Sequence, residues 1–319
     1  MLYFRLPDQT EIFTVKAVDN TAAVTFYPFT DGYTAMFSGE IVPVAVDDLI
    51  NLQPETSDDN RQTSISKEQY LATVRKVIDF VRNEHLPKLV FARRKIIDFE
   101  GRELSVVDSF LQLCNDYPGA FVYCFEQKGV SWIGATPELL GSFHKSTRTF
   151  TTMSLAGTLP QDEEWTQKEI DEQQPVTDYI RNILEAHATE ISVSETYSQP
   201  SGSIKHLRTD FSAKISPDDL EEIIKELHPT PAVCGIPKKL CKDAISEFEG
   251  QSRELYAGYI RVETRENIYF FVNLRCARLF RDKAVLFAGG GITAASDPEK
   301  EWRETELKSD AVGRRLIFS

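Results

Sequence analysis

The sequence predicts an α+β protein built on large antiparallel sheets. Runs rich in Val, Ile, Phe and Tyr, separated by turn residues, come in blocks, and helical patterns come in other blocks between them. A strict alternation of one strand with one helix, which would indicate a parallel sheet, is absent. Hydrophobic residues make up 41% of the 319 residues, with 20 Phe and 11 Tyr, and this supply is ample for a packed core.

The N-terminal part is β-rich. Its strand patterns lie around Tyr3 and in segments 13–15, 24–27 and 41–44. The polar stretch 54–64 (PETSDDNRQTS) has no periodicity and predicts a linker. We therefore expect a first region at residues 1–66, part of the same fold as a larger region at residues 67–319.

Helices are predicted from capping residues and apolar stripes. Ser66 and Gln69 have the spacing of a capping box and predict the start of the first helix. Its apolar stripe consists of Leu71, Val74, Ile78 and Val81. The further predicted helices are 106–114, 163–189, 218–227, 238–248 and 298–316. Pro175 lies inside the second of these, where it predicts a kink or a break.

The remaining strand patterns fall into two groups along the chain. The first group consists of 88–99, 120–125 and 130–135. The second group consists of 256–263, 268–274 with 276–280 continuing it, and 284–287. Strands grouped in this way favour antiparallel pairing between neighbours in the sequence.

Charge and composition exclude several functions. The formal charge of −13 argues against nucleic acid and against an anionic membrane surface, because both need clustered Lys and Arg. The start of the chain shows no signal-peptide pattern, and no apolar run is long enough for a membrane span. The five cysteines have no CxxC spacing and are expected to be reduced. We expect a soluble cytoplasmic protein, for which a monomer suffices.

Two pairs of acidic residues share one spacing on separate helices. Glu301 and Glu304 lie three apart on the closing helix, and Glu169 and Glu172 lie three apart on the helix that contains Pro175. Taken alone, each pair is more typical of a solvated helix face. If the two pairs converged, their oxygen atoms would suit Mg²⁺, which takes hard oxygen ligands.

Single polar residues also stand out in apolar surroundings. The run LFAGGGITAASD lacks the dinucleotide fingerprint, so Gly289 and its neighbours indicate either a tight turn or close backbone approach to an anionic ligand. Arg275 interrupts an apolar strand pattern, Lys88 begins one, and Glu138 follows one. Each of these charges also fits a surface position when it is considered alone.

Nine segments in order resemble the chorismate-binding enzyme family. They are KLVFARR, GATPELL, SLAGT, KEIDEQ, HPTPAVCGIPK, RELYAGYI, NLRCARL, FAGGGI and EWRET, and together they span about residues 88–310. The resemblance implies two facing antiparallel β-sheets flanked by helices, with chorismate as substrate and Mg²⁺ as cofactor. Gln173 departs from the family, in which His is common at this position.

The resemblance also assigns roles to residues of this sequence. It implies that Glu172 and Glu304 hold the metal, with Glu169 and Glu301 in an outer shell. It implies that the substrate-binding residues are Gly157, Thr158, Arg275, Gly289 and Lys308. Lys88 matches the family's general base, which activates water, and Glu138 matches the acid, which protonates the leaving hydroxyl.

Within the family, the segment HPTPA followed by a small apolar residue looks most like isochorismate synthases, which supply menaquinone or siderophore synthesis. In these enzymes water adds at carbon two of chorismate while the hydroxyl on carbon four leaves. Ala156 stands where aminodeoxychorismate synthases carry a nucleophilic lysine, and this argues against that activity. The alternatives are a salicylate synthase, component I of anthranilate synthase, or a non-catalytic chorismate-binding regulatory protein.

Overall fold

The computed structural model describes residues 1–18, 22–56, 64–201 and 204–318. The chain forms two compact units. Unit 1 consists of Met1–Glu138, Val233–Arg261 and Phe271–Ser319, and unit 2 consists of Leu139–Ala232 and Val262–Phe270. Within the described residues, no helix combines the length and the hydropathy needed to cross a membrane.

The elements in chain order are strands β1 to β20 and helices α1 to α6. The strands are β1 (Leu2–Arg5), β2 (Phe13–Lys16), β3 (Ala22–Tyr27), β4 (Ala35–Ser38), β5 (Glu40–Pro43), β6 (Lys88–Asp98), β7 (Leu104–Ser105), β8 (Phe121–Gln127), β9 (Val130–Thr136), β10 (Leu139–His144), β11 (Thr149–Pro160), β12 (Ala188–Val193), β13 (Tyr197–Ser201), β14 (Ile204–Ile215), β15 (Gly235–Ile236), β16 (Tyr259–Glu263), β17 (Asn267–Val272), β18 (Cys276–Leu279), β19 (Lys283–Ile292) and β20 (Ile317–Phe318). The helices are α1 (Lys67–Asn83), α2 (Val106–Asp116), α3 (Gln167–His187), α4 (Leu220–Leu227), α5 (Lys238–Glu249) and α6 (Pro298–Gly313).

Unit 1 contains a nine-stranded sheet in the order β15-β6-β19-β18-β9-β8-β1-β2-β5. Every neighbouring pair in this order is antiparallel. Phe110 and Leu113 of α2 and Val312 of α6 join one buried apolar cluster with alternate residues of the central strands. Burial of that cluster fixes which side chains of each strand face the helices, because successive residues of a strand point to opposite faces.

Unit 2 contains strands in the order β12-β14-β11-β10, with β13 also pairing with β14. Helix α3 carries the apolar residues Ile180 and Leu184, both buried. Its Gln173 is 3% exposed and donates from Nε2 to Ser154 Oγ and to Thr209 Oγ1, both at 3.0 Å. The glutamine therefore ties α3 to β11 and β14 through buried hydroxyls, and this satisfies polar atoms that burial would otherwise leave unpaired.

The predicted α+β class with large antiparallel sheets flanked by helices is confirmed. The capping box formed by Ser66 and Gln69 is present. As predicted, α1 begins directly after Ser66, at Lys67. Of the predicted kink or break at Pro175, the break is wrong, because α3 runs through it as one helix, and the kink stays a prediction. Within residues 1–66, β1, β2 and β5 belong to the nine-stranded sheet, and the predicted boundary at residue 66 stays a prediction.

Strands β10 to β14 of unit 2 are absent from the sequence-based prediction. Segment 139–160 forms β10 and β11, and segment 188–215 forms β12, β13 and β14. In β14 the residues that face the interior are Leu207, Thr209, Phe211, Ala213 and Ile215, all buried. The alternation of these residues with polar ones is a strand signal, but the polar Thr209 in the buried series weakens it.

Candidate active site

Lys88 begins β6, and its main chain is held by the short strand β15. Ile236 pairs with Lys88 and Gly235 pairs with Leu89 in the antiparallel register. Gly235 has φ +122°, and a Cβ atom built there would lie 2.5 Å from the carbonyl oxygen of Lys88. Only glycine fits this conformation and this approach, so the glycine of HPTPAVCGIPK fixes the backbone that carries Lys88.

The buried ion pair between Arg253 and Glu249 continues this support along β6. Arg253 Nη2 donates to the carbonyl oxygen of Val90 at 2.9 Å, and its Nη1 donates to that of Val233 at 2.7 Å. Glu249 Oε1 accepts from the amide of Ala92 at 2.8 Å. Sequence reasoning missed both roles, although Arg253 opens the segment RELYAGYI. The two charges serve backbone groups of β6 that have no strand partner there.

Glu138 follows β9 and is half-buried. Its carbonyl oxygen accepts from the amide of Val272 at 3.0 Å, which fixes the backbone. Burial raises the pKa of its carboxyl above the usual range, although the charges of Lys88, Arg275 and Lys308 each lower it. The desolvation effect is the larger one, because the protein surrounds the carboxyl even though the residue keeps some exposed surface. A raised pKa is what a general acid needs.

Arg275 lies between β17 and β18 and does not continue a strand. It has φ +47°, a conformation that few residues other than glycine adopt. Its carbonyl oxygen accepts from the amide of Ala135 at 3.0 Å. The predicted continuation of one strand from 268–274 into 276–280 is therefore wrong. The backbone turns at this arginine, and such conformations are common at functional sites.

The glycine run is part of strand β19, so the interpretation as a tight turn is wrong. Gly289 pairs with Ala92 and Gly290 with Phe91 across the β6–β19 register. The carbonyl oxygen of Gly289 accepts from Lys308 Nζ at 2.8 Å. A Cβ atom at Gly290 would lie 2.9 Å from Glu301 Oε2. The absence of side chains here lets acidic residues of α6 approach the strand closely.

Glu301 and Glu304 of α6 form an acid cluster beside Gly290. Burial raises the pKa of Glu301, and the nearby Glu304 raises it further, while a hydrogen bond from Ser296 lowers it. Lys308 Nζ lies 2.5 Å from Glu304 Oε1. The Glu304 side chain is half-exposed, so this ion pair adds little to stability.

The acid cluster fits a hard cation by its chemistry. Its donors are carboxylate oxygens, and the missing side chain at Gly290 lets Glu301 Oε2 lie close to the strand. Burial is the main cause of the raised pKa of Glu301, and the charge of the neighbouring Glu304 carboxylate adds to it. In the part of the chain that the structure describes, no three His, Cys, Asp or Glu side chains gather closely enough to hold a metal. The side chain of Glu172 lies outside the described atoms.

Unit 2 carries the other predicted site residues. Gly157 has φ +69° at a bulge in β11, and a Cβ atom there would lie 3.2 Å from the carbonyl oxygen of Glu169. Glu169 is 5% exposed and accepts from the amide of Thr166 at 3.1 Å, which caps α3. The structure thus brings Gly157 next to Glu169. The side chain of Thr158, like that of Glu172, lies outside the described atoms.

The structure therefore gathers Lys88, Glu138, Arg275, Gly289, Glu301, Glu304 and Lys308 in unit 1. It places Gly157, Thr158, Glu169 and Glu172 in unit 2. Glu138 is the predicted acid. The charges of Lys88, the predicted base, and of Arg275 and Lys308, the predicted carboxylate-binding residues, each lower the pKa of its carboxyl. The convergence of the two acidic pairs stays a prediction.

The stability of the fold should depend on pH through Glu138. The ordinary pKa of this carboxyl is 4.5, and the folded chain raises it. The folded state then keeps a proton that the unfolded state has released, so this stabilising contribution is complete below pH 4.5 and is lost as pH rises through the folded pKa. We expect Glu138→Gln to flatten the pH dependence of the free energy of unfolding, measured in urea at a series of pH values.

The matched control for this experiment is the exposed Glu185 of α3. The variant Glu185→Gln should follow the wild-type pH dependence. Parallel curves for the wild type and Glu138→Gln would mean that the folded chain does not shift the titration of Glu138.

Comparison with known sequences places the chain beside enzymes of one family. The sequence profile described as "Chorismate binding enzyme" matches residues 45–317. The isochorismate synthase MenF of Bacillus subtilis (strain 168) is 27% identical over 263 residues, which is 76% of this chain and 54% of that protein. The chloroplastic isochorismate synthase of Catharanthus roseus is 32% identical over 257 residues, which is 74% of this chain and 43% of that protein. The chain thus spans about half the length of the curated relatives it matches.

Comparison with solved structures supports the fold. The structure of MenF, the menaquinone-specific isochorismate synthase from Escherichia coli, aligns with a TM-score of 0.82. The alignment covers 99% of this chain and 88% of that one at 19% sequence identity. At this identity the likeness establishes the architecture alone.

Proposed function

Since the chain belongs to the chorismate-binding enzymes, we propose that it is an isochorismate synthase, a Mg²⁺-dependent isomerase that converts chorismate to isochorismate. The relatives described above carry that name. The segment HPTPAV, in which a small apolar residue follows HPTPA, favours this member of the family.

One observation carries the proposal. The carboxyl of Glu138, with a raised pKa, lies among the charges of Lys88, Arg275 and Lys308. A carboxyl whose pKa is raised, beside an amine, is the acid–base pair that an addition of water with loss of hydroxide requires. A binding protein without catalysis has no need for a carboxyl with a raised pKa among cationic side chains.

The proton transfers follow from these two residues. Lys88, in its neutral form, accepts a proton from water as the water oxygen bonds to carbon two of chorismate. The ring double bond shifts, and the bond between carbon four and its hydroxyl oxygen breaks. Glu138 gives its proton to that oxygen, which leaves as water. One water enters and one leaves, so the reaction is an isomerisation, and activity should fall as pH rises through the raised pKa of Glu138.

Substrate carboxylates need cationic or N–H partners. Arg275 and Lys308 supply fixed positive charge, and Arg275 is held by its backbone bend. Gly289 gives close backbone approach, and Gly157 and Thr158 supply further backbone contacts. Fixing both carboxylates of the substrate aligns carbon two with the attacking water, which lowers the entropic part of the barrier.

The proposed cofactor is Mg²⁺. Glu304 and Glu172 would hold it, with Glu301 and Glu169 in the surrounding shell. When it is bound, it neutralises the ring carboxylate of chorismate and orients it. The oxygen donors of Glu301 and Glu304, which both lie beside Gly290, support this assignment.

We also propose that the protein acts in the cytoplasm. All five cysteines are free. Four of them are buried, and this suits thiols that serve as small core residues in a reducing compartment.

Incubation of the purified chain with chorismate and Mg²⁺, followed by chromatography of the products, tests the function. Isochorismate as the sole product is expected. Salicylate with pyruvate would instead identify a salicylate synthase, and anthranilate formed only with ammonia would identify an anthranilate synthase component. Tight binding of chorismate without turnover would favour a regulatory protein.

A further inference from the structure

Arg93 of β6 is a buried charge whose polar partners lie on helix α6. Its side chain is 2% exposed. Its Nε donates to Thr305 Oγ1 at 2.8 Å, and its Nη2 forms an ion pair with Glu306 Oε1. The mechanism proposed above does not use this residue. Apolar side chains of similar volume often serve a core as well as a buried ion pair does, so stability alone is a weak reason for an arginine here.

The guanidinium also packs on an aromatic ring of the same helix. Its Cζ atom lies 3.9 Å from the centroid of the Trp302 ring. Trp302, Thr305 and Glu306 are spaced i, i+3 and i+4, so they share one face of α6. A planar guanidinium that stacks on one residue and bonds to two others restricts both the rotation of the helix and its movement along its axis.

The hydroxyl of Thr305 carries this contact to the backbone of α6. It accepts from Arg93 Nε and donates to the carbonyl oxygen of Trp302, both at 2.8 Å. Thr305 is 0% exposed, so the hydroxyl lies in the protein interior. Arg93 is therefore bonded, through one buried hydroxyl, to the main chain of the turn 302–305.

The adjoining stripe of α6 carries predicted site residues. Glu301, Glu304 and Lys308 are spaced i, i+3 and i+7. Lys308 Nζ donates to the carbonyl oxygen of Gly289 at 2.8 Å, and a Cβ atom at Gly290 would lie 4.0 Å from Glu304 Oε1. A hydrogen bond keeps its strength only over about half an ångström of donor–acceptor distance. The placement of these side chains on β19 therefore depends on how α6 is set against the sheet.

Lys95 contacts α6 from the same face of β6 but is more exposed. Its Nζ pairs with Glu306 Oε2 at 2.9 Å and with Asp310 Oδ1 at 3.3 Å. Its side chain is 26% exposed, and ion pairs that water reaches add little. Both of its partners are the ends of flexible side chains. The buried contact of Arg93 is therefore the better fixed point for the helix.

We propose that Arg93 is a positioning residue, whose buried guanidinium sets the rotation and the axial position of α6 so that Glu304 and Lys308 meet β19. The inference rests on the proposed function, because it takes the roles of Glu304 and Lys308 from that proposal. The effect of Arg93 on the site passes through the helix, since its polar contacts are with Thr305 and Glu306.

The test compares Arg93→Lys with Lys95→Met. Lysine keeps the positive charge at residue 93 but lacks the planar fork and the stacking surface. Hydrogen exchange of residues 301–308 is measured in EDTA by mass spectrometry, and Mg²⁺ affinity by titration calorimetry. The kcat and the KM for chorismate are measured separately. All measurements are made where circular dichroism shows the variants to be folded.

We expect Arg93→Lys to bind Mg²⁺ about tenfold more weakly, the usual effect of removing a group behind a metal ligand. Exchange in 301–308 should be faster, and the KM should rise more than kcat falls, because Lys88 and Glu138 lie outside α6. Lys95→Met should match the wild type in each quantity. If Arg93→Lys does not fold, Thr305→Val removes only the hydroxyl that accepts from Arg93, and it should change affinity and KM in the same direction.

Three results would overturn the inference. If folded Arg93→Lys binds Mg²⁺ and chorismate like an active wild type, Arg93 contributes to stability alone, and the proposed function is unaffected. If Lys95→Met shows the same losses, the charge on Glu306 and not the buried guanidinium sets the helix. If the wild type itself neither binds Mg²⁺ nor converts chorismate, the proposed function fails and the positioning role fails with it.

Discussion

Lys88→Ala is expected to lower chorismate turnover by about a hundred- to ten-thousand-fold, which is the usual contribution of a general base. The reason is that the backbone of Lys88 is held by pairing with β15 and by the close approach of Gly235 to its carbonyl oxygen. These contacts hold no other described amine. Chorismate affinity should change much less, because Arg275 and Lys308 remain. The measurement is steady-state turnover together with chorismate affinity by titration calorimetry.

Two further variants sharpen the test of Lys88. Lys88→Arg keeps the positive charge but stays protonated at neutral pH, so it should be as inactive as Lys88→Ala. Lys95→Ala is the control, because Lys95 lies on the same strand and pairs with Glu306 and Asp310, away from Glu138. If Lys88→Arg kept substantial turnover, Lys88 would act by its charge and another group would be the base.

Gly290→Ala is expected to weaken Mg²⁺ binding by about tenfold or more while leaving the fold intact. The new Cβ atom would lie 2.9 Å from Glu301 Oε2, which is the far end of a flexible side chain that swings aside at little cost. The unfolded state also loses freedom when Ala replaces Gly, so stability without metal should hold or rise by about 0.4–1 kcal/mol. The acid cluster, however, would lose its arrangement. Mg²⁺ titration and urea unfolding in EDTA give the two quantities.

The neighbouring glycine is the matched control. A Cβ atom at Gly291 would meet only Lys88 Cδ at 3.7 Å, an ordinary contact, so Gly291→Ala should keep the wild-type affinity for Mg²⁺. Equal affinities for Gly290→Ala and the wild type would show that the space at Gly290 has no part in cation binding.

Much of unit 1 could be predicted because its signals are local. Ser66 and Gln69 mark the start of α1 by a capping box that both side chains complete in the structure. The apolar runs of β6, β8 and β9 are long and buried, so they indicate strands without knowledge of their partners. Strands β10 to β14 of unit 2 could not be predicted in the same way. Their buried face includes hydroxyl residues such as Ser154 and Thr209, whose burial depends on Gln173 of α3, a contact distant in sequence.

The identities of the site residues came from the family segments, and their environment came from the structure. The sequence alone favoured a solvated face for Glu301, whereas burial and Glu304 raise its pKa. From the sequence, the glycine run indicated either a tight turn or close approach of the backbone to a ligand. Its place in β19 rules out the turn. The role of Arg253 could not be found from spacing, because it depends on backbone carbonyl groups that the fold brings near.

The most direct test of the proposed reaction is the fate of oxygen during turnover. The purified chain is incubated with chorismate and Mg²⁺ in oxygen-18 water, and the product is analysed by mass spectrometry with location of the label. The proposed mechanism predicts isochorismate that carries one oxygen-18 atom in the hydroxyl on carbon two and none elsewhere. Isochorismate with an unlabelled hydroxyl, or the absence of isochorismate from the products, would contradict it.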